Sequence, residues 1–121
     1  MRAGLAGLRL LTEDFFKSLN RRCEDFAQDV NGCFRDNAVQ AHLSCYKTMM
    51  SIRFRKELVK NYRDALDAAG GERYGALFRH LLEAGIYWPP ADLEAFFVSN
   101  MHTKQDLAHL AKTLKEFFEP S

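Results

Sequence analysis

Gly85-Ile-Tyr-Trp-Pro-Pro-Ala-Asp-Leu-Glu-Ala-Phe-Phe-Val-Ser-Asn-Met-His-Thr103 is the stretch on which the fold turns. It is too rich in large apolar side chains for a linker, and Pro89-Pro90 breaks it too sharply for a helix. Ile86 to Trp88 is expected to be extended, because a residue ahead of proline is pushed out of helical geometry. Ala95 to Asn100 reads as a strand. Thr103 and Asp106 then form a Thr-x-x-Asp capping box that opens a last helix. Leu107, Leu110, Ala111, Leu114, Phe117 and Phe118 give that helix its buried face.

Working back from Gly85, a helix is expected over Glu72 to Ala84. Tyr74, Leu77, Phe78, Leu81 and Leu82 line one side of it, and Gly85 stands where a left-handed C-terminal cap belongs. Glu57 to Ala69 is weakly patterned and reads as at most a short helix, closed by Gly70-Gly71. Before it the period is two. Val39, Ala41, Leu43 and Cys45 alternate with Gln40, His42, Ser44 and Tyr46. Met50, Ile52 and Phe54 alternate with Ser51, Arg53 and Arg55. A turn at Tyr46-Lys47-Thr48 would make these an antiparallel pair.

The N-terminal part is helical. Leu5, Leu8 and Leu11 share a face, and Thr12 followed by Glu13 and Asp14 reads as a cap with acids in the first turn. Phe16, Leu19, Cys23, Phe26 and Val30 repeat at helical spacing, with Asn31-Gly32 as the expected stop. The order α-β-β-α-β-α, with hairpin-linked strands, predicts an α+β domain: about three antiparallel strands with helices packed on one face.

The chain has 121 residues, 47% of them hydrophobic, which suits one domain with a single core. A formal net charge of +1 gives no reason to expect nucleic acid or an anionic membrane as partner. Arg53, Arg55 and Lys56 read as a solvated strand edge. The odd count of cysteines, Cys23, Cys33 and Cys45, argues against a disulfide framework and fits a reducing cytoplasm. His42, His80, His102 and His109 have no metal-ligand spacing with one another or with the cysteines, so no metal is expected. No apolar run approaches a membrane span, and the N-terminus lacks the long apolar region of a signal peptide.

No nucleophile–base pair is legible either. Ser44, Ser51 and Ser99 fall on expected strands outside any Gly-x-Ser-x-Gly context. The glycines make no phosphate loop. None of the seven lysines has an apolar setting that would lower its pKa for Schiff-base work.

The Gly85–Thr103 run nevertheless resembles the C-terminal signature of glutamate-1-semialdehyde 2,1-aminomutase-like enzymes, a branch of the class III pyridoxal-phosphate aminotransferases. The usual run there is roughly Gly-Val-Tyr-Leu-x-Pro-Ser-x-Phe-Glu-Ala-x-Phe-x-Ser-x-x-His-Thr. Three further pieces match in order: Ala3-Gly4-Leu5-Ala6 through Leu11-Thr12, Asn61-Tyr62-x-Asp64-Ala65, and Glu72-Arg73-Tyr74 with Phe78 and Leu82-Glu83-x-Gly85. The resemblance implies that residues 1–121 are a single domain, the C-terminal small domain of a fold-type-I aminotransferase. Helical residues 1–35 would then lead in from a cofactor domain lying upstream of Met1. It also implies that pyridoxal phosphate serves the full-length family, with its lysine, phosphate loop and ring-nitrogen acid outside this chain, so no cofactor-binding or catalytic residue is assigned here. Glu94, in Leu93-Glu94-Ala95, matches the family's glutamate at the substrate pocket, where it could pair with a substrate amine or hold a neighbouring arginine. Phe96 and Trp88-Pro89 depart from the family pattern, which puts the substrate in doubt. His102 reads as a helix-entry residue. The expected partners are the absent large domain or a second copy, through an exposed apolar face formed by the Phe16–Val30 stripe and the Leu5/Leu8/Leu11 helix. The alternatives are a non-enzymatic interaction module derived from such a domain, and a fragment complementing a separately encoded large domain.

Overall fold

The computed structural model describes residues 2–119. Its elements are α1 (Arg2–Leu10), α2 (Glu13–Asp36), β1 (His42–Tyr46), β2 (Met49–Arg53), α3 (Tyr62–Asp67), α4 (Glu72–Glu83), β3 (Phe96–Phe97) and α5 (Lys104–Phe118). The strands form one antiparallel sheet in the order β1-β2-β3. Pairing of Tyr46 with Met49 makes the hairpin turn two residues long, and Lys47 there takes a left-handed φ of 56°. The α+β class, the strand count and the hairpin are as the periodicities predict.

Period two fixes which side chains meet the helices. Leu43 faces Ile52, and Cys45, Met50 and Phe96 stand in one cross-strand row. Leu43, Met50 and Ile52 are buried on this face. Helix α2 packs over β1, and α5 packs against both α2 and α4. Leu77, Leu81 and Leu114 are buried where the helices meet, and Phe34 and Phe118 contact edge to face at 4.8 Å between centroids. The opposite row, Tyr46, Met49 and Phe97, is exposed.

Three expectations need correction. Helix α2 does not stop at Asn31-Gly32 but runs to Asp36, and Ala38 takes the left-handed position at φ 53°. There Val39 N donates to Phe34 O at 2.8 Å, closing the helix end as a Schellman motif does. Asn31 has another task. Its Nδ2 donates to Leu43 O at 2.8 Å and its Oδ1 accepts from Leu43 N at 2.9 Å. One side-chain amide thus does for the free edge of β1 what a neighbouring strand's peptide group would do.

The third strand is two residues rather than the six from Ala95 to Asn100. Val98 N still donates to Thr48 O at 3.0 Å, but Ser99 then turns back to bond His102. The entry to α5 claims the chain before a longer ladder can form. Its capping box is present as read, with Thr103 and Asp106 bonding each other's backbone.

The Phe16–Val30 stripe is not an exposed face. Leu19, Cys23, Phe26 and Val30 are buried, and only Phe16 remains open. On α1, by contrast, Leu5, Leu8 and Leu10 are all exposed and no residue is buried.

Candidate functional site

The segment from Pro89 to Glu94 is anchored from three elements. From α4, Tyr74 Oη donates to Pro89 O at 2.7 Å. From the end of β2, Arg53 Nη1 donates to Asp92 O at 2.6 Å and to Ile52 O at 3.0 Å. From the turn before α4, Gly70 N and Gly71 N donate to Asp92 Oδ2 at 2.5 and 3.3 Å. Gly71 has a φ of 53°, and a Cβ on Gly70 would lie 2.3 Å from the Phe54 ring, so both positions favour glycine.

Arg53 is therefore no solvated edge, although it alternates out of the core. It is only 7% exposed, because the Pro89–Glu94 loop folds over it. Asp92 supplies the compensating charge, but the pair is long, at 3.9 Å, and Asp92 Oδ1 is buried without a hydrogen bond. What the carboxylate contributes is a nearby negative charge for a desolvated guanidinium and an acceptor for two backbone N–H groups.

Glu94 lies two residues ahead of β3, on a turn held by Glu94 N donating to Ala91 O at 3.1 Å. Its carboxylate is exposed and has no partner among the described residues. The neighbouring arginine, Arg53, is engaged by Asp92 instead. The arrangement thus offers a free carboxylate on a rigid loop, next to a phenol and a buried guanidinium. That can receive a cation but contains no nucleophile.

Burial pushes the Tyr74 hydroxyl up to about 12; Trp88 and Arg53 oppose the rise, and Asp92 and Glu94 add to it. The folded state therefore holds this proton more tightly than an unfolded tyrosine near 10. The contribution is complete below about pH 10 and is lost as pH rises towards about 12, a loss of roughly 2–3 kcal/mol. Urea unfolding of the native chain against Tyr74→Phe, at about pH 9 and about pH 11.5, should show the native chain losing more stability than the variant.

His102 plays the helix-entry part. Its Nδ1 accepts from Ser99 N at 2.9 Å, and its carbonyl accepts from Arg22 Nη1 at 2.6 Å. Among the described residues no group of His, Cys, Asp or Glu is arranged to hold a metal. The lysines do not fit an internal aldimine with pyridoxal phosphate. Six are exposed, and the half-buried Lys115 is paired to Asp29 at 2.6 Å.

No family model matches the chain. Among curated proteins it is 32% identical, over 98% of its length, to glutamate-1-semialdehyde 2,1-aminomutase 1 of Lachnoclostridium phytofermentans, covering 28% of that protein. It is 30% identical, over 94% of its length, to the Chlamydia caviae aminomutase, covering 26% of it. The chain is similar, over nearly its whole length, to one segment of these aminomutases. It spans about a quarter of the length of these relatives. Solved structures agree on the fold. An aminomutase from Pseudomonas aeruginosa in complex with PMP matches with a TM-score of 0.78 at 16% identity, over 88% of this chain and 23% of that one. A β-phenylalanine aminotransferase from Variovorax paradoxus matches with a TM-score of 0.75 at 24% identity, over 83% of this chain and 23% of that one. The three-stranded α+β unit is thus the fold of the matched part of fold-type-I aminotransferases.

Arg53 and Asp92 were missed in sequence. Arg53 lies on a strand face that alternation assigns to solvent, and Asp92 lies in a proline-led turn, where an acid is ordinary. The one local signal was an arginine within a β-branched and aromatic run, flanked by Ile52 and Phe54.

Proposed function

We propose that this chain is the substrate-side domain of a pyridoxal-phosphate aminotransferase of the glutamate-1-semialdehyde aminomutase type, and that it is not catalytic alone. One observation carries the reading: the similarity runs through nearly the whole chain yet takes in only about a quarter of each relative. In this reading the remainder of such an enzyme supplies the cofactor and its lysine, and the exposed leucines of α1 lean on that remainder. A cytoplasmic setting goes with it, supported by three free cysteines. The Pro89–Glu94 loop presents Glu94 to the substrate, where its carboxylate pairs with an ammonium group and orients it for reaction. Tyr74, Arg53 and Asp92 hold the loop so that little ordering is left for binding to supply.

The test exchanges this chain for the matching quarter of the Lachnoclostridium aminomutase and measures amino-group transfer. The chimera is expected to turn over, and Glu94→Ala to lower kcat/KM about tenfold, mainly through KM. The isolated chain, titrated with pyridoxal phosphate, reduced with borohydride and peptide-mapped, should show only scattered lysine labelling. A single stoichiometric adduct with turnover by the chain alone would overturn the reading, as would a chimera that holds the cofactor but ignores Glu94→Ala.

A further inference from the structure

A cleft of about 380 Å3 lies between the Gly85–Trp88 segment, β3 and the first turns of α5. That volume lies in the range of small-molecule sites. Its floor is apolar: Trp88, Phe96, Leu107 and Leu110 line it, with the Trp88 and Phe96 rings 4.2 Å apart between centroids. His102 and His109 also line it.

The hydrogen bonds settle what His102 offers. Ser99 N donates to its Nδ1 at 2.9 Å, so Nδ1 carries the lone pair and Nε2 carries the hydrogen. That Nε2–H has no partner among the described residues, whereas His109 Nε2 is engaged with Ala84 O at 2.9 Å. A carbonyl can only accept, so His109 Nε2 is the protonated nitrogen and its Nδ1 is left as the acceptor of a neutral ring. Asp106, the one acid lining the cleft, spends Oδ2 on Thr103 N and Thr103 Oγ1 at 2.6 and 2.8 Å. Its charge disfavours an anionic guest.

We propose that this cleft binds a small neutral aromatic hydroxyl compound, a phenol or aryl alcohol. The ring packs against the half-buried Phe96, which itself lies on the buried Trp88, while the hydroxyl oxygen accepts from His102 Nε2–H and the hydroxyl hydrogen reaches His109 Nδ1. The proposal is independent of the aminotransferase reading, because it uses neither Glu94 nor a cofactor. A phenol fits better than a bare hydrocarbon because a fixed donor left unpaired beside an apolar guest is penalised.

Trp88 is the only tryptophan in the chain, so its single indole N–H resonance, beside the Tyr74 hydroxyl, reports packing changes at the cleft wall. The intact chain is titrated with p-cresol and, separately, with toluene, following Trp88 Nε1–H and the ring nitrogens of His102 by 15N NMR. Saturable p-cresol binding is expected, about tenfold tighter than toluene. His102 Nε2 should shift on p-cresol addition and stay still with toluene. His102→Phe should remove the tenfold preference and leave toluene binding unchanged. Because that variant also loses the Ser99 contact, the wild-type His102 shift serves as an independent readout. The absence of a saturable Trp88 shift overturns the proposal, and so does equal affinity for the two ligands with His102 Nε2 unmoved.

Discussion

Asp92→Ala is expected to destabilise the chain by about 3–5 kcal/mol, the cost of leaving one member of a buried charged pair uncompensated. Arg53 would keep its bond to the Asp92 carbonyl, since the backbone remains, but would lose the one carboxylate that, among the described residues, faces its buried guanidinium. Gly70 N and Gly71 N would lose their acceptor at the same time. Asp92→Asn separates these effects. It keeps an oxygen for the glycine N–H groups and removes the charge, so it should fall between wild type and Asp92→Ala. Urea unfolding followed by circular dichroism gives the midpoints. A shift within experimental error for Asp92→Ala would mean that the guanidinium is solvated and the loop is held by Tyr74 alone. Since natural domains are stable by only about 5–15 kcal/mol, the expected loss would leave a substantial unfolded fraction.

The second large effect is expected at Asn31. Asn31→Ala removes both bonds to Leu43 and leaves a partly buried N–H and C=O on β1 without partners, at about 2–4 kcal/mol for the two together. Asn31→Asp is the informative companion. It still accepts from Leu43 N, but presents an oxygen to Leu43 O where a donor is required, so it should cost nearly as much despite its similar shape. Hydrogen exchange at Leu43, fast in Asn31→Ala and slow in wild type, would locate the loss at the β1 edge. Uniformly faster exchange across the sheet would instead mean that β1 and α2 open together.

Glu94 was singled out on a local pattern, which Arg53 and Asp92 lack. Its local run, Leu93-Glu94-Ala95, carries a family pattern, and a residue exposed on a turn keeps the properties its sequence advertises. Arg53 does not. Alternation assigns it correctly to the outer face of the sheet, but whether that face is wet depends on a loop some forty residues later. The Asn31-Gly32 pair misled for a related reason. Its tendency to end a helix is worth about 1 kcal/mol. The burial of Val30 and Phe34 on either side, with the two bonds from Asn31 to Leu43, outweighs it.

The sequence by itself determined the elements and their order. Helical and two-residue periods, the Thr103–Asp106 box, the Gly85 cap and the Pro89-Pro90 break act over a few residues, where local sterics and hydrogen bonding decide the outcome. It also carried the resemblance to the aminomutases, since the matched pieces lie residue by residue in the chain. Only the tertiary structure decided where α2 ends, how short β3 is, that the Phe16–Val30 stripe is covered, and that Arg53 is buried against Asp92. Each of those depends on what a distant segment places opposite, and burial and desolvation arise from such meetings rather than from neighbours in the chain.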